Sequence, residues 1–246
     1  MPGMISAVFH AVIYNPLYNG LVYLIGILPS HDVGIAVIFL TIVVRIILYP
    51  LSRRAVVAQE EMKILAPKIE LLKEKYKNDR EAQGREIFAL YREHDVHPFA
   101  SLGLVLIQLP ILFALYWVFA RGGLPQVDAS RLYSFVGQPG GVNMEFIGVI
   151  NVGASKSLIL AVLAGITQII YTRLSMGAPK KHPPSDGSLG SDMAKSFDMQ
   201  ARYVLPLMIG VIAYTVPAAA PLYWVTSNTF MIAQEYLAGR RFSPQK

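Results

Sequence analysis

Apolar positions in this chain come in long blocks, not in short alternating strands. Val33 to Leu51 reads Val-Gly-Ile-Ala-Val-Ile-Phe-Leu-Thr-Ile-Val-Val-Arg-Ile-Ile-Leu-Tyr-Pro-Leu, with Arg45 as its single charge. Further apolar blocks occupy Phe99 to Ala120, Ser157 to Thr172, Tyr203 to Val216 and Pro221 to Ala238. They approach the roughly 20 residues that a helix needs to cross a hydrocarbon core about 30 Å thick. The pattern predicts an all-α, polytopic integral membrane protein with five transmembrane helices.

Met4 to Leu28 is also apolar but is interrupted by Asn15, Pro16, Asn19 and Gly20, and carries Phe9, Tyr14, Tyr18 and Tyr23. It lacks the basic start of a signal peptide, so residues 1–30 are expected to form an amphipathic helix in the outer interface, with a sixth span or an uncleaved signal-anchor as the alternative. Residues 31–52 form the first span and residues 99–246 the other four, with an outer loop at 121–156, a mobile cytoplasmic loop at 174–202 and a short basic tail at 239–246. The 174–202 loop is expected to move because Met176 to Gln200 is rich in Gly, Pro, Ser and Lys.

Residues 53–98 follow a different pattern. Met62, Leu65, Ile69, Leu72 and Tyr76 recur at spacings of three and four, which puts them on one seam of a helix. Pro67 is expected to kink that helix. Asn78-Asp79 breaks the pattern, and Ile87, Leu90, Tyr91 and His94 make a second seam. Two antiparallel helices sharing a narrow seam are the expected result. The hairpin reads either as a spacer or as a docking arm for cytoplasmic partners.

Composition agrees with the membrane reading: 54% of residues are hydrophobic, 15% are charged and mean hydropathy is +0.44, against about 25% charged in ordinary soluble domains. Charge also orients the chain. Ten Lys and Arg lie in Arg53 to His97, five in Arg173 to Arg202 and three in the tail, whereas Arg121, Arg131 and Lys156 are the positives of the opposite loops. The positive-inside rule puts the N-terminus outside and the C-terminus in the cytoplasm. The net charge of +6 does not make a DNA binder, because Arg53 to His97 also carries nine acidic residues and reads as a solvated mixed-charge helix. Its basic residues suit anionic headgroups or ribosomal RNA. There is no cysteine, hence no disulfide or thiolate metal site, and no Walker-type nucleotide loop.

Polar residues inside the spans are the candidate chemistry. Arg45 lies roughly 9 Å from the cytoplasmic end of its span and Gln108 about 13 Å into the second, with Gln168 near the cytoplasmic end of the third. Thr41 shares a face with Arg45. Tyr223, Trp224, Ser227 and Asn228 lie on the last span. A Gln or Asn there reads as interhelical glue or as a substrate contact, and Trp224 as an interface-belt aromatic or a site residue. A guanidinium at membrane depth costs several kcal/mol, so Arg45 implies a water-filled, positive recess open to the cytoplasm. Among rivals, Gly153-Ala-Ser155 resembles a serine-protease site, but none of the five histidines falls in a span to act as base. His94 and His97, three residues apart, supply two of the three or four ligands that a metal site needs. A small-solute transporter would be expected to show an internal repeat, and none is visible.

Several stretches together resemble the YidC-type membrane protein insertases, whose relatives include mitochondrial oxidase-assembly and chloroplast Albino proteins. They are Val44-Arg45-Ile-Ile-Leu-Tyr-Pro-Leu51, Ala66-Pro-Lys-Ile-Glu-Leu-Leu-Lys-Glu-Lys-Tyr76, Gln108-Leu-Pro-Ile-Leu-Phe-Ala-Leu-Tyr116 and Leu222-Tyr-Trp-Val-Thr-Ser-Asn228, followed by Gln234. The resemblance implies a bacterial inner-membrane insertase and chaperone, not an enzyme, without cofactor or metal. It would accept hydrophobic segments of nascent membrane proteins in a hydrophilic groove and release them sideways into the bilayer. It implies that Arg45 receives the polar part of the client, that Gln168 and Trp224 face the same groove, and that the hairpin meets incoming substrate. Thr41, Gln108, Tyr223, Ser227 and Asn228 complete the candidate groove. The implied partners are the nascent protein and the lipid bilayer, with the Sec translocon, the signal recognition particle or its receptor, and the ribosome as further candidates. The alternative within the family is an assembly chaperone acting only with the Sec translocon. His97 replaces the usual Asn before Pro98, and the turn between the last two spans reads Pro217-Ala-Ala-Ala-Pro221.

Overall fold

The computed structural model describes residues 2–97, 100–120, 124–177, 199–237 and 239. Residues 178–198 of the expected mobile loop and all of the basic tail except Gly239 lie outside the described residues, as does Pro98. The chain is predominantly helical and divides into two compact units, residues 1–45 with 110–246, and residues 46–109.

In the first unit, helix α1 (Pro2–Phe9) runs through a π-helical segment (His10–Tyr14) directly into α2 (Asn15–Ile27). The helix thus passes through Asn15-Pro16, where the apolar block is interrupted. The wide turn allows this: Asn15 N–H bonds the carbonyl of His10, five residues back, and this opens the backbone at the turn where the Pro16 ring would otherwise meet a carbonyl. The same device recurs at Gln200–Val204, where Leu205 N–H bonds Gln200 O just ahead of Pro206. On α2, Tyr18, Leu21, Val22 and Ile25 are fully buried. The opposite side of α1 and α2 exposes Met4, Val8, Val12, Tyr23 and Ile27, so it too is largely apolar.

Helix α3 (Val33–Ile47) starts at Asp32, whose Oδ1 accepts from Ile35 N–H at 3.0 Å. Its Oδ2 accepts from Ile147 N–H at 2.9 Å, joining the helix to a two-stranded hairpin of β1 (Glu145–Phe146) and β2 (Ile150–Asn151). Ile147 has φ 51°, a left-handed conformation that a β-branched residue seldom adopts, and the Asp32 bond holds it there. Phe146 packs so closely on Gly34 that a Cβ at Gly34 would overlap its ring.

The outer loop is fastened to α2 by polar groups. Asn19 Nδ2 donates to Arg131 O at 2.9 Å and its Oδ1 accepts from Tyr133 N–H, while Tyr18 Oη accepts from Asp128 N–H at 2.7 Å. Asn19, read from sequence as an interruption, is 2% exposed and is the tether of the loop. The loop also holds the turn before the last helix, through Ala218 N–H to Ala154 O and Ala219 N–H to Val152 O.

Helices α7 (Leu158–Met176), α8 (Leu205–Thr215) and α9 (Ala219–Leu237) pack against one another, α7 touching both neighbours. Ala161, Ala164 and Ala213 form the buried seam. A Cβ built on Gly210 would lie 3.6 Å from Ala161 O and 4.0 Å from the Gly165 Cα, so the backbones of α7 and α8 nearly touch, as small residues permit in membrane helices. Among the described residues, α7 is long and apolar enough by itself to cross a bilayer.

The second unit is the hairpin. Its first helix, α4, spans Tyr49–Lys75. Pro50, at the second position of α4 and without an N–H, is tolerated at a helix start but ends the preceding helix at Ile47. The helix continues through Pro67. Asp79 caps α5 (Arg80–Glu93) by accepting from Ala82 N–H at 2.9 Å, a favourable helix start. Leu65, Ile69 and Val96 are buried in the seam, with Met62, Ile87, Leu90 and Tyr91 around them. Helix α6 (Ala100–Ala120) crosses from this unit into the first at Pro110.

Candidate functional site

Arg45 belongs to the last turn of α3 and is 7% exposed. Its guanidinium donates to the hydroxyl of Ser227 on α9, which is itself fully buried. Arginine stays charged at any physiological pH, so the contact fixes a permanent positive charge among apolar helices. Thr41, one turn earlier, is buried too, but its hydroxyl donates to Val37 O in its own helix at 2.6 Å. It thus offers the site only acceptor capacity.

A second polar cluster lies on the neighbouring face of α9. Asn228 Nδ2 donates to Gln168 Oε1 at 3.1 Å and to Thr167 Oγ1 at 3.3 Å, and Gln168 Nε2 donates to Thr172 Oγ1 at 3.4 Å. This amide chain joins α9 to α7. Adjacent residues on a helix point about 100° apart, which is why Ser227 and Asn228 serve different neighbours. One turn earlier the division repeats: Tyr223 is fully buried, whereas Trp224 packs on the Ala161, Ala164 and Ala213 seam. The structure therefore brings Arg45 to Ser227 and Asn228 to Gln168, and turns Trp224 onto α7 and α8. Gln108 is half-buried on α6 and belongs to the second unit.

Sequence reasoning missed Thr167 and Thr172, although the four-residue step from Gln168 to Thr172 was a usable signal. Glu235 on α9 is 1% exposed, a further buried polar residue of that helix. Asn151 Oδ1 accepts from Gly153 and Ala154 N–H, bracing the turn that contains Ser155. The His94 ring contacts Leu90 O through Nδ1 at 3.0 Å and Lys68 Nζ through Nε2 at 3.2 Å, so both nitrogens are engaged.

Away from the apolar helices, Asp128 accepts from the Ser130 hydroxyl at 2.6 Å, from Ser130 N–H and from Arg131 Nε. The Ser130 hydroxyl, then Ser130 N–H and Arg131, hold its carboxyl below the usual carboxylate range.

Residues 26–245 match the family model described as 60Kd inner membrane protein. The chain is similar to the membrane protein insertase YidC of Fusobacterium nucleatum, with 34% identity over 91% of this chain and 95% of that protein. It is 29% identical to the one from Oceanobacillus iheyensis, over 88% and 78% of the two chains. The one from Syntrophobacter fumaroxidans is also 29% identical, but there the match covers 86% of this chain and 35% of the relative. This chain thus spans nearly the full length of the first and about a third of the last.

Proposed function

Because this chain belongs to the 60Kd inner membrane protein family, whose relatives above are named membrane protein insertases, we propose that it is a bacterial membrane protein insertase that uses Arg45 as its client-receiving group. Nascent membrane proteins are its substrates and the lipid bilayer their destination. The observation that carries the reading is a permanent cation, 7% exposed, held by a serine from the last helix inside apolar helices.

The five apolar helices α3, α6, α7, α8 and α9 span the membrane. Exposed apolar side chains on them support this, among them Phe39, Val43, Phe113, Ile159, Ile166, Leu207 and Val211. So does the excess of Lys and Arg in the loops read as cytoplasmic, which also orients the N-terminus outward. The α1–α2 run lies in the outer interface, one side on the protein and the other on lipid.

The mechanism follows from charge and depth. Water admitted from the cytoplasm as far as Arg45 shortens the apolar path for a client's hydrophilic tail. Arg45, released from Ser227, pairs briefly with an acidic tail residue. The Asn228, Gln168 and Thr172 amides and hydroxyls offer the next partners. The client's hydrophobic segment then leaves sideways into lipid, driven by burial of its own surface at about 25 cal/mol per Å². No covalent chemistry is required. The hairpin exposes Val57, Ile64, Leu71 and Phe88 among its charges, which supports a role in meeting the nascent chain, the signal recognition particle or its receptor, the ribosome, or the Sec translocon.

A photo-reactive residue at position 227 tests the reading directly. A ribosome-stalled client should crosslink there through its tail-proximal segment, and a probe at Ile159, on the expected lipid-facing side, should give far less. Equal crosslinking from both positions would remove the groove from the account.

A further inference from the structure

A groove of about 950 Å³ runs between α7 and α8, in the upper range of ligand sites. Arg45, Ser227, Asn228 and Gln168 are not among its lining residues, and Thr172 is the one group of the client path that also lines it. Its walls are apolar, with Val162, Ile166 and Ile169 from α7 facing Leu207 and Val211 from α8. Its floor is the close backbone approach at Gly165 and Gly210. One end differs: Arg173 and Arg202 both line it there, with Thr172 and Gly177 beside them and no carboxylate among the described lining residues.

The geometry points to an anionic phospholipid as the occupant, its phosphate at Arg173 and Arg202 and one acyl chain along the groove. Charge complementarity selects the headgroup. Arg202 is anchored, donating to Gly177 O at 2.6 Å, while Arg173 is exposed and able to turn toward a phosphate. Both arginines sit at the end read as cytoplasmic, where anionic headgroups attract basic residues. Tyr203 beside them is an interfacial aromatic.

Dimensions select a chain over a helix. From Arg173 to the level of Leu163 is ten residues, about 15 Å, which is half of a hydrocarbon core about 30 Å thick. One acyl chain of the inner leaflet therefore reaches from the arginines to the glycine floor. A client helix, about 10 Å across, is too wide to enter between backbones that nearly touch along that floor. This inference rests on the membrane placement of α7 and α8 but not on insertase activity, so the two fail separately.

The test is native mass spectrometry of the full-length protein released from mixed phosphatidylglycerol and phosphatidylcholine bilayers, compared with Arg173→Gln and Val211→Trp. Wild type should retain phosphatidylglycerol preferentially. Arg173→Gln should weaken that retention about fivefold, the worth of one basic residue near a headgroup, and leave phosphatidylcholine unchanged. Val211→Trp, which fills the groove from its exposed wall, should lower retention of both lipids. Thermal unfolding of each variant guards against misfolding. Equal retention of the two lipids by wild type, or no effect of Arg173→Gln, would overturn the proposal. So would glycerol phosphate displacing the lipid as effectively as phosphatidylglycerol does, because the site would then bind an anion without a chain. Loss of client crosslinks in Val211→Trp with lipid retention intact would instead assign the groove to client segments.

Discussion

Arg45 and Asp32 show how single polar groups organise apolar helices here. Ser227 is the Arg45 partner in the resting chain, and a hydrogen bond to a charged group contributes about 1.5–3 kcal/mol. Ser227→Ala should therefore lower thermal stability in detergent by an amount in that range, while Asn228→Ala, which breaks a neutral amide link, should cost about 1 kcal/mol. A larger loss from Asn228→Ala would place the structural weight on the amide chain instead. Asp32 both caps α3 and holds Ile147 in its left-handed conformation. Asp32→Ala should cost about 1–2 kcal/mol through the cap alone and release the β1–β2 turn, seen as faster amide exchange at Ile147. Arg45 was legible from sequence because a lone charge in an apolar run stands out. Its partner was not, since nothing in a linear pattern says which of Ser227 and Asn228 faces α3.

At the level of elements, spacing carried most of the information. The three- and four-residue rhythm from Met62 to Tyr76 gave the hairpin seam, and Leu65 and Ile69 are buried in it as that rhythm requires. Leu65→Ala should destabilise the hairpin by about 2–4 kcal/mol, with accelerated exchange confined to α4 and α5; an effect spreading to α7 would contradict its standing as a separate unit. Prolines were harder to read. Pro50 ends a helix, Pro67 sits inside one, and Pro16 and Pro206 follow π-helical turns, outcomes decided by local backbone accommodation that no spacing rule registers. The outer loop was illegible because its folding depends on buried groups of α2, chiefly Asn19 and Tyr18. Its Asp128 clasp gives a pH signature. The folded carboxyl titrates below its unfolded value of about 3.9, so its contribution is complete above that pH and disappears as pH falls through the lower folded value. Amide protection at Ser130 and Arg131 should decline across that acidic window, and Asp128→Asn should abolish the pH dependence.

For the whole molecule, the expected all-α class agrees with a predominantly helical chain, and the family assignment matches the resemblance read from dispersed motifs. Membrane proteins make that level legible because every backbone group in lipid must be satisfied within a helix, so apolar block length speaks directly to architecture. What remained hidden is which polar residues meet, since adjacent positions of α9 serve different neighbours, Ser227 bonding Arg45 and Asn228 bonding Gln168.

Reconstituted insertion shows whether Arg45 receives a client's polar tail. Proteoliposomes containing only this protein would be given a single-span client with an acidic N-terminal tail, and insertion scored by protease protection. Wild type should insert efficiently, Arg45→Ala should lose about tenfold, equivalent to about 1.4 kcal/mol, and Arg45→Lys, where the charge persists, should keep substantial activity. Wild-type insertion unchanged in Arg45→Ala, or insertion only when Sec components are added, would contradict that role.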